Sequence, residues 1–260
     1  MIKFCSLSSG SKGNTAYVEI NGDKFLLDIG NTTSYVEKAL QEINVDPRDI
    51  KGIFISHSHH DHVDGLKVFI KRYNPIVYLS EESYYDLSKL FLITNYVLLK
   101  DASFPNFKLT LIPTSHDVLG SYGFVFDDGL KNIVYITDTG YISQKNLKLL
   151  GNKSLYYFES NHDIEMLMKG SYPYYLKQRI LSDKGHLSNK SSAYYLHEII
   201  GDKTETIILA HLSEENNKPE IAYKELEDTL ETYNQKVEKI LIGKQNKRGE
   251  LIEVWLKLYV

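Results

Sequence analysis

Four of the nine histidines, His57, His59, His60 and His62, fall within Ser56-His57-Ser58-His59-His60-Asp61-His62, just after the apolar run Gly52-Ile53-Phe54-Ile55. The pattern is H-x-H-x-D-H. His57 and His59, two apart on an extended segment, point to one side, whereas Asp61 and His62 can turn toward a second point in space. One loop can therefore feed two metal ions. Imidazole with carboxylate suits zinc, manganese or iron, and the lack of any thiolate nearby argues against a closed structural zinc site.

Two ions need more ligands than this loop supplies, and those ligands should stand at the ends of other strands. His116 follows Leu109-Thr110-Leu111-Ile112-Pro113, Asp138 follows Ile133-Val134-Tyr135-Ile136-Thr137, and His211 follows Ile207-Ile208-Leu209-Ala210. In layered α/β folds the C-terminal ends of strands gather on one rim, where ligand sites form. Singly, each partner has an ordinary reading as a hydrogen-bonded or surface histidine, or as a turn aspartate. Their joint placement is what points to a metal centre. His60, between ligands, should point away, and His197, inside a helix, reads as structural.

The elements that must position these residues follow from periodicity. Residues 2–8 and 15–29 read as strands, joined by Ser8-Ser9-Gly10-Ser11-Lys12-Gly13-Asn14. That loop is either a tight connection or a nest of N–H groups and hydroxyls for a phosphate. A helix over 34–43, capped near Thr32-Thr33-Ser34, precedes strand 52–56, and the histidine loop enters a helix over 63–73. Strand 76–79, a helix near 81–91 and strands near 96–99 and 107–113 come next. Residues 123–126 and 132–137 form a hairpin about Asp127-Asp128-Gly129. Then follow helix 143–150, strand 154–159, helices 163–169, 173–182 and 188–200, strand 206–210, helix 219–233, and strands near 238–242 and 251–259. This alternation is α/β, with sheets covered by helices.

The chain has 260 residues, 42% of them hydrophobic, which is ample material for a core. It shows no repeat, low-complexity stretch or Pro/Gly-rich linker, so residues 1–260 read as a single domain. A net charge of −4 excludes coating of nucleic acid by bulk electrostatics but leaves room for a local basic channel. No run reaches the roughly 18 apolar residues of a membrane helix, and Met1-Ile2-Lys3-Phe4-Cys5-Ser6 lacks the apolar core of a signal peptide. Cys5 is the single cysteine, so no intrachain disulfide can form. A cytoplasmic protein without a membrane partner is expected, with Cys5 a small buried side chain of the first strand. Lys12, Arg179 and a late cluster of Lys244, Lys247 and Arg248 could meet a substrate backbone or be solvated surface charge. The adjacent tyrosines Tyr84-Tyr85, Tyr156-Tyr157, Tyr174-Tyr175 and Tyr194-Tyr195 could stack bases, or stand at core edges and on the surface.

His57, His59, Asp61 and His62, with Asp28 upstream and His116, Asp138 and His211 downstream, resemble the ordered motif set of the metallo-β-lactamase fold superfamily, a four-layer αβ/βα sandwich. The resemblance implies that one ion takes His57, His59 and His116, the other takes Asp61, His62 and His211, and Asp138 bridges them. Asp28 would fix the histidine loop rather than bind metal, its other reading being a strand-ending turn residue. More narrowly, the Ser8–Asn14 loop, Thr137-Asp138-Thr139-Gly140-Tyr141, Glu159-Ser160-Asn161-His162-Asp163, Gly185-His186-Leu187-Ser188-Asn189 and Ala210-His211-Leu212-Ser213 resemble the YycJ (WalJ, VicX) family of bacterial metallohydrolases. That family is associated with exonuclease-like cleavage of DNA and with cell-wall two-component operons.

Two divalent ions about 3.5–4 Å apart can share a water and lower its pKa toward neutrality, with Asp61 placed to accept a proton from the bridging hydroxide. In ribonuclease Z-like members a histidine ahead of the last ligand protonates the leaving oxygen or steadies the phosphate, and His186 looks similar. A leaving alkoxide needs that proton more than a lactam or thioester does, which tilts the expectation toward phosphodiesters. Otherwise His186 is a loop histidine beside an N-cap serine. Glu159 can orient it or be a strand-end charge; His162 can contact the site or serve as an N-cap or surface residue.

The resulting expectation is a dinuclear metal-dependent hydrolase, a phosphodiesterase or nuclease cutting DNA 5′ to 3′ as an exonuclease. Two other readings use the same metal core: a carbonyl hydrolase acting on thioesters or lactones, and a metal-bound regulatory partner without catalysis. No cysteine replaces a second-site ligand, which argues against an antibiotic hydrolase. The stretch between Asp138 and His211 reads as ordinary strands and helices, so an inserted RNA-binding domain, and with it tRNA maturation, is not expected.

Overall fold

The computed structural model describes residues 1–254. Ile2–Ser8 (β1) and Thr15–Ile20 (β2) pair antiparallel with Phe4 opposite Val18. The chain then reverses at Asn21-Gly22, both in the left-handed region at φ 50° and 89°, and returns as Asp23–Leu27 (β3). The single strand expected over 15–29 is thus a two-residue hairpin. Asn-Gly, here followed by Asp23-Lys24 and flanked by two apolar segments, is a strong signal for that turn.

Thr33–Gln41 (α1) starts where the Thr32 hydroxyl accepts the Tyr35 N–H, and Ile50–Phe54 (β4) runs parallel to β3. The helix expected from Val63 is two pieces, a single turn at His60–Val63 (α2) and Leu66–Tyr73 (α3). Gly65 stands between them because a Cβ there would lie 2.2 Å from the Asn31 carbonyl oxygen. Ile76–Leu79 (β5), Glu81–Ser88 (α4) and Tyr96–Leu98 (β6) complete this half.

The second half opens with an antiparallel meander, Lys108–Pro113 (β7), Tyr122–Asp127 (β8) and Asn132–Ile136 (β9). It continues through Gln144–Leu150 (α5), Leu155–Glu159 (β10), Ile164–Lys169 (α6), Tyr174–Leu181 (α7), Asn189–Ile199 (α8), Thr206–Ala210 (β11), Pro219–Thr232 (α9) and Lys239–Ile242 (β12). From β9 to β12 neighbouring strands are parallel. Ile252–Val254 (β13) then returns to pair with β1; the remainder of the strand expected over 251–259 lies outside the described residues. Among those residues the sheet orders are β13-β1-β2-β3-β4-β5-β6 and β12-β11-β10-β9-β8-β7.

The sheets face each other across an aromatic core that includes Phe4, Phe54, Phe124, Phe126 and the stacked pair Tyr135 and Tyr157. The outer face of the first sheet packs against α1 and α3, and that of the second against α5, α8 and α9, giving helix, sheet, sheet and helix layers. Tyr156 and Tyr157 are both fully buried, one on each face of β10, where core edge or surface was expected. A central parallel strand is covered on both sides. No helix among the described residues is long and apolar enough to cross a membrane.

Candidate metal centre

Six strand ends converge. Asp28 follows β3, His57 lies just past β4, His116 past β7, Asp138 past β9, Glu159 ends β10 and His211 follows β11. Asp28, Asp138 and His211 each hold φ 55°, whereas the other non-glycine residues with positive φ among those described are asparagines. A non-glycine residue held in the left-handed region costs about 1–3 kcal/mol. Here it breaks the strand at the rim.

The side chains form three overlapping donor groups: His57, His59 and His116; Asp61, His62, Asp138 and His211; and Asp138, Glu159, His186 and His211. Within each group one ligand-type atom per residue lies within 4.8 Å of all the others. Asp138 reaches both histidine sets, with Oδ2 3.0 Å from His62 Nε2 and Oδ1 3.8 Å from His116 Nε2. His57 Nε2 and His211 Nε2 are buried and lack any hydrogen-bond partner among the described residues. Such orphaned imidazole nitrogens, beside carboxylates and without thiolates, fit a divalent ion of the zinc, manganese or iron kind.

A second set of residues aims these donors. Asp28 has no exposed surface; its Oδ1 accepts the Ser56 N–H at 2.7 Å, and its Oδ2 accepts the Ser56 and Tyr135 hydroxyls and lies 2.8 Å from His62 Nδ1. Glu159 Oε1 lies 2.8 Å from His186 Nδ1 and 2.9 Å from His211 Nδ1, while Oε2 accepts the Thr139 N–H. Asn14 donates from Nδ2 to Asp61 Oδ2 at 3.1 Å and from its backbone to the Asp61 carbonyl at 2.7 Å. Gly30 permits this approach, since a Cβ there would lie 1.6 Å from the Asp61 carbonyl oxygen.

In the protein alone, burial works against charge on His62, and the carboxylates of Asp138, Asp28 and Asp61 overcome it, holding the imidazole well above its ordinary range. Burial likewise opposes charge on His211, but Asp138, Asp61 and Glu159 raise its pKa to about 10. His57 moves well below the ordinary value, through burial and then the neighbouring His62. Glu159 is lowered to about 2, because His186 and His211 outweigh its burial. The result is a buried cluster of alternating sign.

Several expected roles change. In the Ser8–Asn14 loop most amides are engaged within the protein: Ser9 N–H bonds the Lys244 carbonyl, Gly10 N–H the Asn14 side chain, and Lys12 N–H the Gln245 side chain, while Ser11 lines the cleft. The Ser9 hydroxyl accepts the His211 N–H, so the loop ties β1 to the last histidine. His162 is neither an N-cap nor at the surface; it is 1% exposed, and Asp163 caps α6 instead. Burial, followed by the influence of His186, lowers its pKa to about 4. Two expectations hold: His60 points outward to Asp64, and His197, inside α8, has a structural place stacked on Tyr233. Lys12 pairs with Glu214, Arg248 with Glu42, and Arg179 with Asp117.

Asp117 and Asn14 were not singled out by sequence. Asp117 Oδ1 lies 3.4 Å from His59 Nε2 and 3.5 Å from His116 Nε2. Its only signal is adjacency to His116. The centre opens into a cleft of about 270 Å³ lined by His59, Asp61, Asp138, His186 and His211 on one side and by Leu176, Arg179 and Ile180 of α7 on the other.

A family model described as "Metallo-beta-lactamase superfamily" matches residues 9–211. The chain is 36% identical over 238 residues to the exodeoxyribonuclease WalJ of Streptococcus pneumoniae serotype 2, covering 88% of each chain. It is 34% identical over 236 residues to the exodeoxyribonuclease YycJ of Bacillus anthracis, covering 88% of this chain and 89% of that one. Among solved structures, the metallo-beta-lactamase fold protein YhfI from Bacillus subtilis superposes with a TM-score of 0.71 at 16% identity, over 96% of this chain and all of the other.

Proposed function

The chain belongs to the metallo-beta-lactamase superfamily, and on that premise we propose that it is a metal-dependent phosphodiesterase that shortens DNA as an exonuclease, 5′ to 3′. Similarity to relatives named exodeoxyribonucleases supports the nucleic-acid substrate. The observation that carries the phosphodiester chemistry is His186, whose Nδ1 is engaged by Glu159 Oε1 at 2.8 Å while its ring lines the cleft.

In this reading His57, His59 and His116 would hold one divalent ion and Asp61, His62 and His211 the second, with Asp138 shared by the two sets; zinc, manganese and iron all suit these donors. Bound ions supply Lewis acidity and a nucleophilic water at neutral pH. Asp61 takes the proton of the attacking water. Glu159 accepts the Nδ1–H of His186 and so orients the ring and stabilises its doubly protonated form, from which the Nε2–H passes to the leaving oxygen. Residues 1–260 act as one domain in the cytoplasm.

The test is metal analysis joined to product mapping on end-labelled DNA and RNA with Mn²⁺ or Zn²⁺. Stepwise release of nucleotides from the 5′ end of DNA is expected. A fully metallated wild type that cuts neither polymer would sink the proposal.

A further inference from the structure

Helix α7 buries none of its residues, although it forms one wall of the cleft. Its C-terminal end is nonetheless fixed to the centre. The His186 N–H bonds the Ile180 carbonyl at 3.0 Å, and the following loop packs on Gly140, where a Cβ would lie 2.2 Å from the Asp183 carbonyl oxygen. Arg179, one residue before Ile180, points its guanidinium at Asp117, with Nε 2.7 Å from Oδ2, and Asp117 in turn borders His59 and His116. The fork already holds an anion beside the histidines. Tyr175 is four residues before Arg179 and so stands in the same row of the helix. It is 75% exposed, and no ring stacks on it among the described residues.

We infer that α7 is a landing track for single-stranded nucleic acid next to the bond being cut, with Arg179 taking a backbone phosphate in place of Asp117 and Tyr175 stacking a base. The inference rests on the phosphodiester reading above. A phosphate-binding fork and a bare aromatic ring in one row match the alternating backbone and base of a strand, and stacking requires an unpaired base. Lys184, exposed on the same rim, adds positive charge.

The experiment compares the metal-loaded full chain on a single-stranded oligodeoxynucleotide and on bis(p-nitrophenyl) phosphate, which offers no neighbouring base or phosphate. Tyr175→Ala should raise KM for the oligonucleotide about 5- to 100-fold, and Tyr175→Phe should restore it. Arg179→Ala should also raise that KM and flatten its salt dependence by about one phosphate contact. Both alanine variants should lower the ratio of oligonucleotide to small-ester efficiency. An equal fall on the two substrates, or an oligonucleotide KM indifferent to Tyr175→Ala, overturns the track. Wild type active on the small ester but on no oligonucleotide would overturn the nucleic-acid reading itself; activity on neither would overturn the phosphodiesterase.

Discussion

Glu159 gives one oxygen to two imidazoles, His186 and His211, and that sharing divides the residues into those that hold and those that act. Replacing His186 with alanine should lower kcat about 10²- to 10⁴-fold while metal content, read by elemental analysis, stays at the wild-type level. Loss of metal would instead make His186 a ligand. Asp28→Ala removes the acceptor shared by Ser56, His62 and Tyr135. Metal affinity, followed by competition with a chromogenic chelator, should then fall about 10- to 100-fold. The H-x-H-x-D-H loop and its partners could be read from residue type and strand ends. Asn14 could not, because it meets Asp61 only when the β1–β2 connection folds against Gly30, a contact with no local pattern. Asp117 was hidden in the same way beside His116.

At the level of elements, the strands were legible because their apolar runs are long and bounded, and β5 and β11 fall where they were expected. The misreadings came where two signals competed. The apolar segments on either side of Asn21-Gly22 were joined into one strand, which concealed a hairpin; the helical pattern after His62 ran through Gly65 and concealed a break. That break matters chemically, since the separate turn α2 carries Asp61 and His62 toward Asp138. Strand β1 carries a prediction of its own. Burial pushes the Cys5 thiol from 9.0 up to about 12. A group with a raised pKa favours folding below its unfolded value, so this contribution should fade as pH rises from about 9 toward 12. Thiol titration with a disulfide reagent at pH 8 should find Cys5 unreactive in the native protein and reactive after denaturation; rapid native reaction would contradict the packing of β1.

For the whole molecule, the two sheets meet over aromatic side chains and leave a charged, buried centre at one rim. Residues that bind an ion only when folded turn binding energy into stability, about 4 kcal/mol at a thousandfold excess over Kd. Chelation should therefore lower the melting temperature, and restoring Zn²⁺ or Mn²⁺ should recover it; calorimetry showing no difference would mean that the donors do not bind metal in the native state. The layered fold was visible in the alternation of strands and helices, but the pairing of β13 with β1 was not, because nothing local links those segments. The centre draws on Asn14 near the beginning of the chain and on His211 far along it. A chain still emerging from the ribosome has every group of the histidine loop long before it has His211 or the β11 backbone that holds it. Until His211 is made, the two donor groups that share it stay incomplete, and only the set of His57, His59 and His116 can assemble.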